Sequence, residues 1–408
     1  MAISIKESLS VGFSDFWSRK LRSFIVILGI VLGTLSIVVV TSIINGINKQ
    51  TLAWMEERGG LAKISVYRNR EYQEYPNLQR YFDLKEFNFL RSQIPEAKFI
   101  SPTLRSYKQF SYKKKVYYAP IFGVNEDYTG IEEWNVAEGR FINNYDLNKV
   151  NDVIVIGSKV KEVLFGNKKA IGELITVFGR RLEVIGIMDY RYMKSSNNLM
   201  NDNALAYLNR FAFIPLTTFI NKGTGEDKIH SIKIKAQDAE SAPALGVKIE
   251  NILLNMRKGK PVFVVESAAE EAKSMEKNGK VFQLVFTLIS AISLFIGAIV
   301  VSNIMLATIK ERTREIGIRI ALGARRRDIF VQFLVQTILV SLIGGLLGLV
   351  MGVSILDITS KYLGIELIAN LNTILMAVFS SAFVGLLAGI IPAIIASRLD
   401  PITALRVD

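Results

Sequence analysis

The sequence has no cysteine and one histidine, His230, among 408 residues. Disulfides and thiol chemistry are therefore excluded, so a soluble part of this chain must be stable through its packed core alone. Ordinary zinc sites and histidine-based triads are unsupported as well. His230 lies in an alternating stretch and reads as a surface or satisfied strand residue. No G-x-x-x-x-G-K-[ST] motif occurs, so these residues hold no P-loop to cradle nucleotide phosphates. Adjacent carboxylates such as Glu132 and Glu133, or Glu270 and Glu271, read as solvated charge rather than a reaction centre. No catalytic constellation emerges, and no metal site.

Charge is also missing from four long runs, and that absence organises the chain. Ser23 to Asn48, Val281 to Ile309, Ile329 to Leu356 and Leu367 to Ser397 contain no Lys, Arg, Asp, Glu or His. Each exceeds the about 20 residues that a helix needs to span a bilayer. Half the residues are hydrophobic, and four transmembrane helices follow. The apolar core of the first run is longer than the about 7 to 15 residues of a signal peptide and lacks a small-residue cleavage site, which favours a span over a cleaved leader. With no ionisable group in any span, an ion or proton path through them is unsupported. Small residues recur instead: Gly29 and Gly33 in the first span, Gly344, Gly348 and Gly352 in the third, Ser381, Gly385 and Gly389 in the fourth. Such stripes let helices pack closely. Pro392 sits near the inner end of the fourth span, where neighbouring helices can satisfy the carbonyl it frees.

Lys and Arg crowd the flanks of these runs unevenly. Seven lie in Lys310 to Asp328, whereas Asp357 to Glu366 holds only Lys361. The positive-inside rule then puts 310–328 and both termini in the cytoplasm, and the long stretch 49–280 outside it. That outer region holds 36 of the 50 basic and 28 of the 37 acidic residues. Its excess of positive charge reads as a solvated, mixed-charge face that could also favour anionic surfaces; it supports no nucleic-acid partner.

In order, the chain reads as an amphipathic cytoplasmic helix (1–22), the first span (23–48), an extracytoplasmic domain with stalk helices (49–280), the second span (281–309) and a cytoplasmic loop (310–328). The third span (329–356), a short external loop (357–366), the fourth span (367–397) and a cytoplasmic C-terminus (398–408) complete it. Ile5, Leu9, Phe13 and Phe16 recur at helical spacing for the first element, which could lie on the membrane surface, pack on a partner or simply extend the first span. Helix formers dominate Glu266 to Lys277, and the helical pattern of the first span continues through Leu52 and Met55; both predict stalk helices, with flexible linkers as the alternative.

Between the stalk helices the pattern is α+β. Strand, helix, strand (Ala62 to Arg68, Asp83 to Ser92, Leu104 to Ser111) recurs as Ile229 to Lys235, Ala239 to Met256 and Val262 to Val265, the last read as a buried strand. Asp83 with Glu86 three residues on forms a capping box. This suggests two small βαβ-like halves packed on one another. A strand-rich insertion, about 119–222, carries a strand at Asp152 to Ile156, a helix through Leu164 and Phe165, and a hairpin pairing Ile175 to Val177 with Leu182 to Ile187. Lys113 to Lys115 reads as a charged turn, and Lys194 to Asn209, rich in Asn and Ser, as a mobile loop.

The loop KERTREIGIRIALGARRRD (Lys310 to Asp328) places Glu315 four residues before Arg319 and Glu311 three before Arg314, opposite charges on one helix face. Ile316 and Ile320 repeat at the same spacing, and Gly323 is suited to end the helix. Its string ERTREIGIRIALGA (Glu311 to Ala324) resembles the signature of the FtsX-like, MacB-type permeases of ABC transporters, the type VII mechanotransmission family. KLRSFIVILGIVLG (Lys20 to Gly33) resembles that family's first membrane helix, and PAIIASRLDPITALR (Pro392 to Arg406) its ending. VLFG (Val163 to Gly166), VIGI (Val184 to Ile187) and FIP (Phe213 to Pro215) are similar to its external insertion. One departure is Gln336, where the resemblance implies an acidic residue.

The resemblance implies a polytopic α-helical membrane protein with four transmembrane helices and an extracytoplasmic α+β domain on a helical stalk. It implies a bacterial inner-membrane permease, homodimeric and in contact with membrane lipid, that docks on a partner ABC ATPase subunit through Glu311, Arg312, Arg314, Glu315, Gly317 and Arg319, with Leu322, Gly323 and Ala324 setting the turn. This chain would carry no cofactor; ATP and Mg would sit on the partner. A periplasmic adaptor or other extracytoplasmic protein would be a further partner, and the exported molecule a drug, a peptide or something lipid-linked. Within the same resemblance, a non-transporting FtsX-like regulator of a cell-wall hydrolase and a lipoprotein-release permease are the alternatives.

Overall fold

The computed structural model describes residues 20–69, 81–194, 203–225 and 227–405. The amphipathic stretch Ile3 to Trp17 lies outside the described residues. Two compact units divide the chain: one comprises 1–48 with 278–408, the other 49–277.

Residues 49–277 build one sheet because apolar and polar residues alternate along segments separated by turn formers. The chain enters from helix α1 (Lys20–Glu56) and runs through β1 (Lys63–Arg68), α2 (Leu84–Gln93), β2 (Phe99–Tyr112), β3 (Lys115–Val124), α3 (Tyr128–Glu132) and β4 (Val136–Gly139). It continues through α4 (Asn144–Lys149), β5 (Val153–Ile156), α5 (Ser158–Phe165), β6 (Leu174–Val177), β7 (Arg180–Met188), β8 (Ala212–Pro215), β9 (Ser231–Lys235), α6 (Ala242–Met256) and β10 (Phe263–Ser267). The strand order is β10-β1-β9-β2-β3-β8-β5-β7-β4, with β6 pairing β2 and β7.

The two strand-helix-strand halves are both present, and they interleave. β1 lies antiparallel between β10 and β9, and β9 antiparallel between β1 and β2, so each half completes the other's sheet. β10 is consequently an edge strand: Val262 and Phe263 are buried as expected, while Val264 and Val265 are only half-buried, which corrects the expectation for that half of the strand. Asp83 caps α2 with the reciprocal Glu86 bond. Ile64, Val66, Leu90, Leu104, Phe110, Ile232, Ile234 and Ile249 share one core, and Tyr128, Trp134, Val155 and Phe213 belong to a second. The β2–β3 hairpin turns at Lys113 and Lys114, with Lys113 at φ 53°. The β6–β7 turn is tighter than the four residues the sequence suggests. Val177 faces Arg180, and Phe178 (φ 55°) and Gly179 (φ 71°) both take the left-handed region that a two-residue primed turn requires.

The expectation of a mobile loop at Lys194 to Asn209 fails for its described part. Asn203 and Asn209 are buried and both donate to the carbonyl of Arg191. Glu132 and Glu133 also depart from expectation. Glu132 is 6% exposed and its Oε1 receives two ammonium groups, Lys63 at 2.7 Å and Lys233. A carboxylate taken from water needs such partners, since an unpaired buried charge costs several kcal/mol. Only Glu133 remains exposed, and it pairs with Lys235. His230 is exposed and accepts from the amide of Arg105 through Nδ1 at 3.3 Å.

The other unit is helical. α7 (Ala268–Glu311), α8 (Thr313–Ala321), α9 (Arg326–Leu363), α10 (Leu371–Ser397) and α11 (Pro401–Leu405) follow one another. Within the described residues α1, α7, α9 and α10 are long and apolar enough to cross a membrane. The connection expected at 357–366 is shorter, because α9 continues to Leu363 before Gly364 ends it in the left-handed region. Lys361 and Asp357, one turn apart at 2.6 Å, fit that extension.

Small residues set how closely these helices approach. A Cβ on Gly29 would lie 3.0 Å from the Cα of Gly297, and one on Gly33 2.6 Å from Leu294. Gly344, Gly348 and Gly352 of α9 face Ile30, the Val31 carbonyl and Val38 of α1. Ser381, Gly385 and Gly389 of α10 meet Gly345, Ser341 and Thr337 of α9. Thr337 and Ser381 satisfy their hydroxyls on carbonyls of their own helices. Gln336, in place of the expected acid, is a buried residue of α9. Pro392 is buried within α10, which continues unbroken to Ser397.

Candidate coupling loop

Within residues 311–324 the short helix α8 covers Thr313–Ala321, supported by the i,i+4 pair of Glu315 and Arg319, and a break at Arg312 separates it from α7. Arg312 leaves the helical region at φ −102° and ψ 13°, after which α8 begins. Thr313 turns its hydroxyl back to the Ile309 carbonyl at 3.0 Å. At the far end Gly323 takes φ 97°, and the amides of Leu322, Gly323 and Ala324 close on the carbonyls of Ile318, Ile320 and Arg319. A left-handed glycine is the usual way to end a helix without a side-chain clash.

α8 has two faces. Inward, Ile316 and Gly317 are buried. Gly317 lies directly on α11: a Cβ there would be 2.6 Å from the Cβ of Ala404. α11 is held in turn by Asp400, whose carboxylate accepts from Thr403 Oγ1 at 2.6 Å and whose carbonyl accepts from the Ala404 amide at 2.9 Å. Between the faces, Arg319 donates to Glu315 at 2.5 Å and to Gln332 of α9 at 3.2 Å. Arg312 stands 4.0 Å from the other Glu315 oxygen.

Outward, Glu311, Arg314, Glu315 and Ile318 are exposed. Leu322 is 84% exposed, and Arg325, Arg326 and Arg327 follow it on the surface. Exposed leucine and isoleucine lie here beside arginines, a residue type enriched at protein interfaces. Among the described residues no group of three or more His, Cys, Asp or Glu could hold a metal ion.

Sequence reasoning brings Glu315, Gly317, Arg319 and Gly323 to one short helix. It misses Ala404 and Gln332, which seat that helix. The glycine at the centre of α8 was the available signal, since Gly in a helix interior is destabilising unless something approaches closely. It also misses Lys63, Lys233 and Arg191, which converge on Glu132 and Glu133 from distant positions.

Residues 23–252 match the family model of the MacB-like periplasmic core domain, and residues 287–401 that of the FtsX-like permease C-terminal region. The chain is 29% identical, over an alignment of 411 residues, to the macrolide export ATP-binding/permease protein MacB of Bdellovibrio bacteriovorus, covering 98% of this chain and 62% of that protein. It is 30% identical over 400 residues to the pyoverdine export ATP-binding/permease protein PvdT of Pseudomonas aeruginosa, covering 98% and 58%. The chain thus spans about three fifths of the length of the curated relatives it matches. Among solved structures, the periplasmic region of MacB from Actinobacillus actinomycetemcomitans gives a TM-score of 0.45 at 19% identity, covering 54% of this chain and 95% of that one. The extracellular domain of the transporter YknZ gives 0.41 at 16%, covering 50% and 99%. With the core-domain model matching more than half of its residues, the chain belongs to the MacB-like, FtsX-like family of ABC transporter permeases.

Proposed function

We propose that this chain transmits motion. An ATPase supplied outside these 408 residues would bind the exposed face of α8, and its closure on ATP would be carried through the helices to the α+β domain. The observation that carries this reading is the seating of α8. Its outer face offers Arg314, Ile318 and Leu322 to a partner, while Gly317 on Ala404 and Arg319 on Gln332 hold it to α11 and α9. A load applied to the outer face therefore reaches two other helices at once. Interiors are close-packed and transmit strain rather than absorbing it.

Two copies of the permease would work together with two ATPase subunits, which would hold ATP and Mg. The loop 310–328 and both termini would face the cytoplasm, and the α+β domain the opposite side of a bacterial inner membrane. The relatives named above are exporters of macrolides and of pyoverdine; for this chain, export of a drug, peptide or lipid-linked molecule is the corresponding proposal. Spans without an ionisable residue, packed glycine on helix, suit a path in which substrate is displaced outside the bilayer core. An adaptor on the outer side would receive it.

Copurification tests the reading. The full chain, expressed with its cognate ATPase, should retain that ATPase through detergent extraction and stimulate its hydrolysis when the complex is reconstituted in lipid. Failure to retain any ATPase, or nucleotide hydrolysis by the purified chain alone, would overturn it. Recovery of a cell-wall hydrolase in place of an exported molecule would point to regulation instead of transport.

A further inference from the structure

The turn that ends α1 meets a charged cluster buried in the α+β domain. Gly59, at φ 102°, brings the turn so close to α3 that a Cβ there would stand 2.3 Å from the Ile131 carbonyl. Lys63, the first residue of β1, donates from Nζ to the Arg58 carbonyl at 2.8 Å and to Glu132 Oε1 at 2.7 Å. One ammonium therefore ties the end of α1 to the end of α3. Lys233 of β9 reaches the same carboxylate oxygen and approaches the Tyr128 hydroxyl at 3.5 Å. Two cations share one carboxylate.

Charged and titratable groups converge on Lys63 from several elements, and Glu266 of β10 lies opposite Ser65, on the same face of β1 as Lys63. α3 brings Glu132 and Tyr128, with Glu133 just beyond; β9 brings Lys233 and Lys235; the turn after α1 brings Arg58 and Glu57. The segment after β7 brings Arg191, whose Nη2 donates to the carbonyls of Glu132 and Glu133 at 2.7 and 2.6 Å. Burial lowers the Lys63 ammonium to about 7, with Glu132 opposing and Lys233 and Arg58 adding to the fall. Burial would lower Lys233 too, but Glu132 outweighs it and keeps that lysine charged. Of the two ammonium groups, Lys63 is the one that gives up its proton near neutrality.

We propose that Lys63 is a proton-controlled latch: charged, it locks the turn ending α1 to α3 and β9 through Glu132; neutral, it releases that hold and leaves the carboxylate to Lys233. The attraction lost is that between full charges in a site from which water is excluded, where it is far stronger than at the surface. On the reading of the chain as a transmission, on which this use of the latch rests, Lys63 sets how firmly movement of α1 is passed to the sheet.

Tryptophan emission reports it. Trp54 in α1 carries the Arg58 guanidinium 4.2 Å from its ring centre, and Trp134 carries Arg191 at 5.4 Å. Trp17 is the remaining tryptophan, so the full-length W17F protein in lipid nanodiscs leaves only the two indoles beside the cluster. Titration from about pH 5.5 to 9 should show a one-proton transition centred near 7. His230 is the only side chain whose ordinary pKa falls in that window, and H230N should leave the transition in place. K63R, which stays charged, and K63M, which is never charged, should each abolish it. A flat trace in W17F, or a transition that survives K63R or K63M or vanishes in H230N, overturns the latch. Should neither Lys63 variant fold, the W17F and H230N traces decide alone. No ATPase is present, so this failure is separate from failure of copurification.

Discussion

Nη2 of Arg319 lies 2.5 Å from Oε1 of Glu315, one helical turn earlier, while Nη1 of the same guanidinium reaches Gln332 at 3.2 Å. A side chain on α8 thus fixes both its own helix and the beginning of α9. Glu315 is the N-terminal member of the pair, the favourable order for an i,i+4 ion pair.

Charge reversal at this pair should separate coupling from folding. Both side chains are a third to a half exposed, so the ion pair contributes under about 1 kcal/mol. E315K should insert and melt like the parent, while R319E, which also takes the donor from the buried Gln332, should insert but cost about 1 to 3 kcal/mol; both should lose the stimulated ATPase of the assembled complex. The exchange E315R/R319E should recover part of it. Unchanged stimulation in both single variants would remove the pair from the coupling route.

Leu322 is the most exposed apolar residue of the loop, at 84%. L322D should therefore shift stability by no more than about 0.5 kcal/mol. It should nonetheless reduce the ATPase retained on copurification by at least tenfold, the effect of about 1.4 kcal/mol at a binding surface. Quantitative pull-down at fixed salt is the measurement.

The contact of Gly317 with Ala404 leaves no room for a methyl group. G317A should push α11 off α8 and cost about 1 to 3 kcal/mol, the range for overpacking a filled site. A404G should largely restore the loss when the two are combined. Thermal unfolding of the three variants in nanodiscs checks the cycle, and additive losses would contradict the contact.

Acid should act on the α+β domain through Glu132. Burial would raise its carboxyl, but Lys233 and Lys63 outweigh that and hold it at about 2, below the ordinary 4.5. Its contribution is then present above about pH 4.5 and lost as pH falls toward 2. Lys63 has a slope of the same sign in a higher window: lowered to about 7 from 10.5, it makes the folded domain gain stability as pH rises between those two values. E132Q, which leaves two lysines facing no carboxylate, should cost about 3 to 5 kcal/mol at neutral pH. It should also flatten the acid limb of a melting profile; an acid limb as steep as the parent's would contradict the assignment.

What the sequence discloses here is what depends on near neighbours. The four membrane helices follow from runs without charge, and α2 from Asp83 with Glu86. The charged turn at Lys113 and the end of α8 at Gly323 follow from residue type, whereas the two-residue turn at Phe178 and Gly179 does not, because a phenylalanine gives no signal for the left-handed region. What it conceals depends on residues brought together from afar. Lys63 and Lys233 lie 69 and 101 positions from Glu132, so a carboxylate that looks solvated beside Glu133 becomes the buried centre of a cluster. The interleaving of β9 and β10 around β1 is equally invisible to local pattern, because either half alone has the same alternation. Gly317 signals close approach, but only the fold identifies Ala404 as the neighbour.

Because the chain has no native cysteine, one spin label can be placed on the exposed Glu250 of α6 as E250C, and the distance between the labels of two copies can be measured in the complete complex with its ATPase. ATP trapped with vanadate should move the distance distribution by several ångströms relative to the nucleotide-free state, and E315K should abolish the movement. The same distribution with and without trapped nucleotide, or a movement that survives E315K, would contradict a chain that carries the ATPase stroke through α8 to the α+β domain.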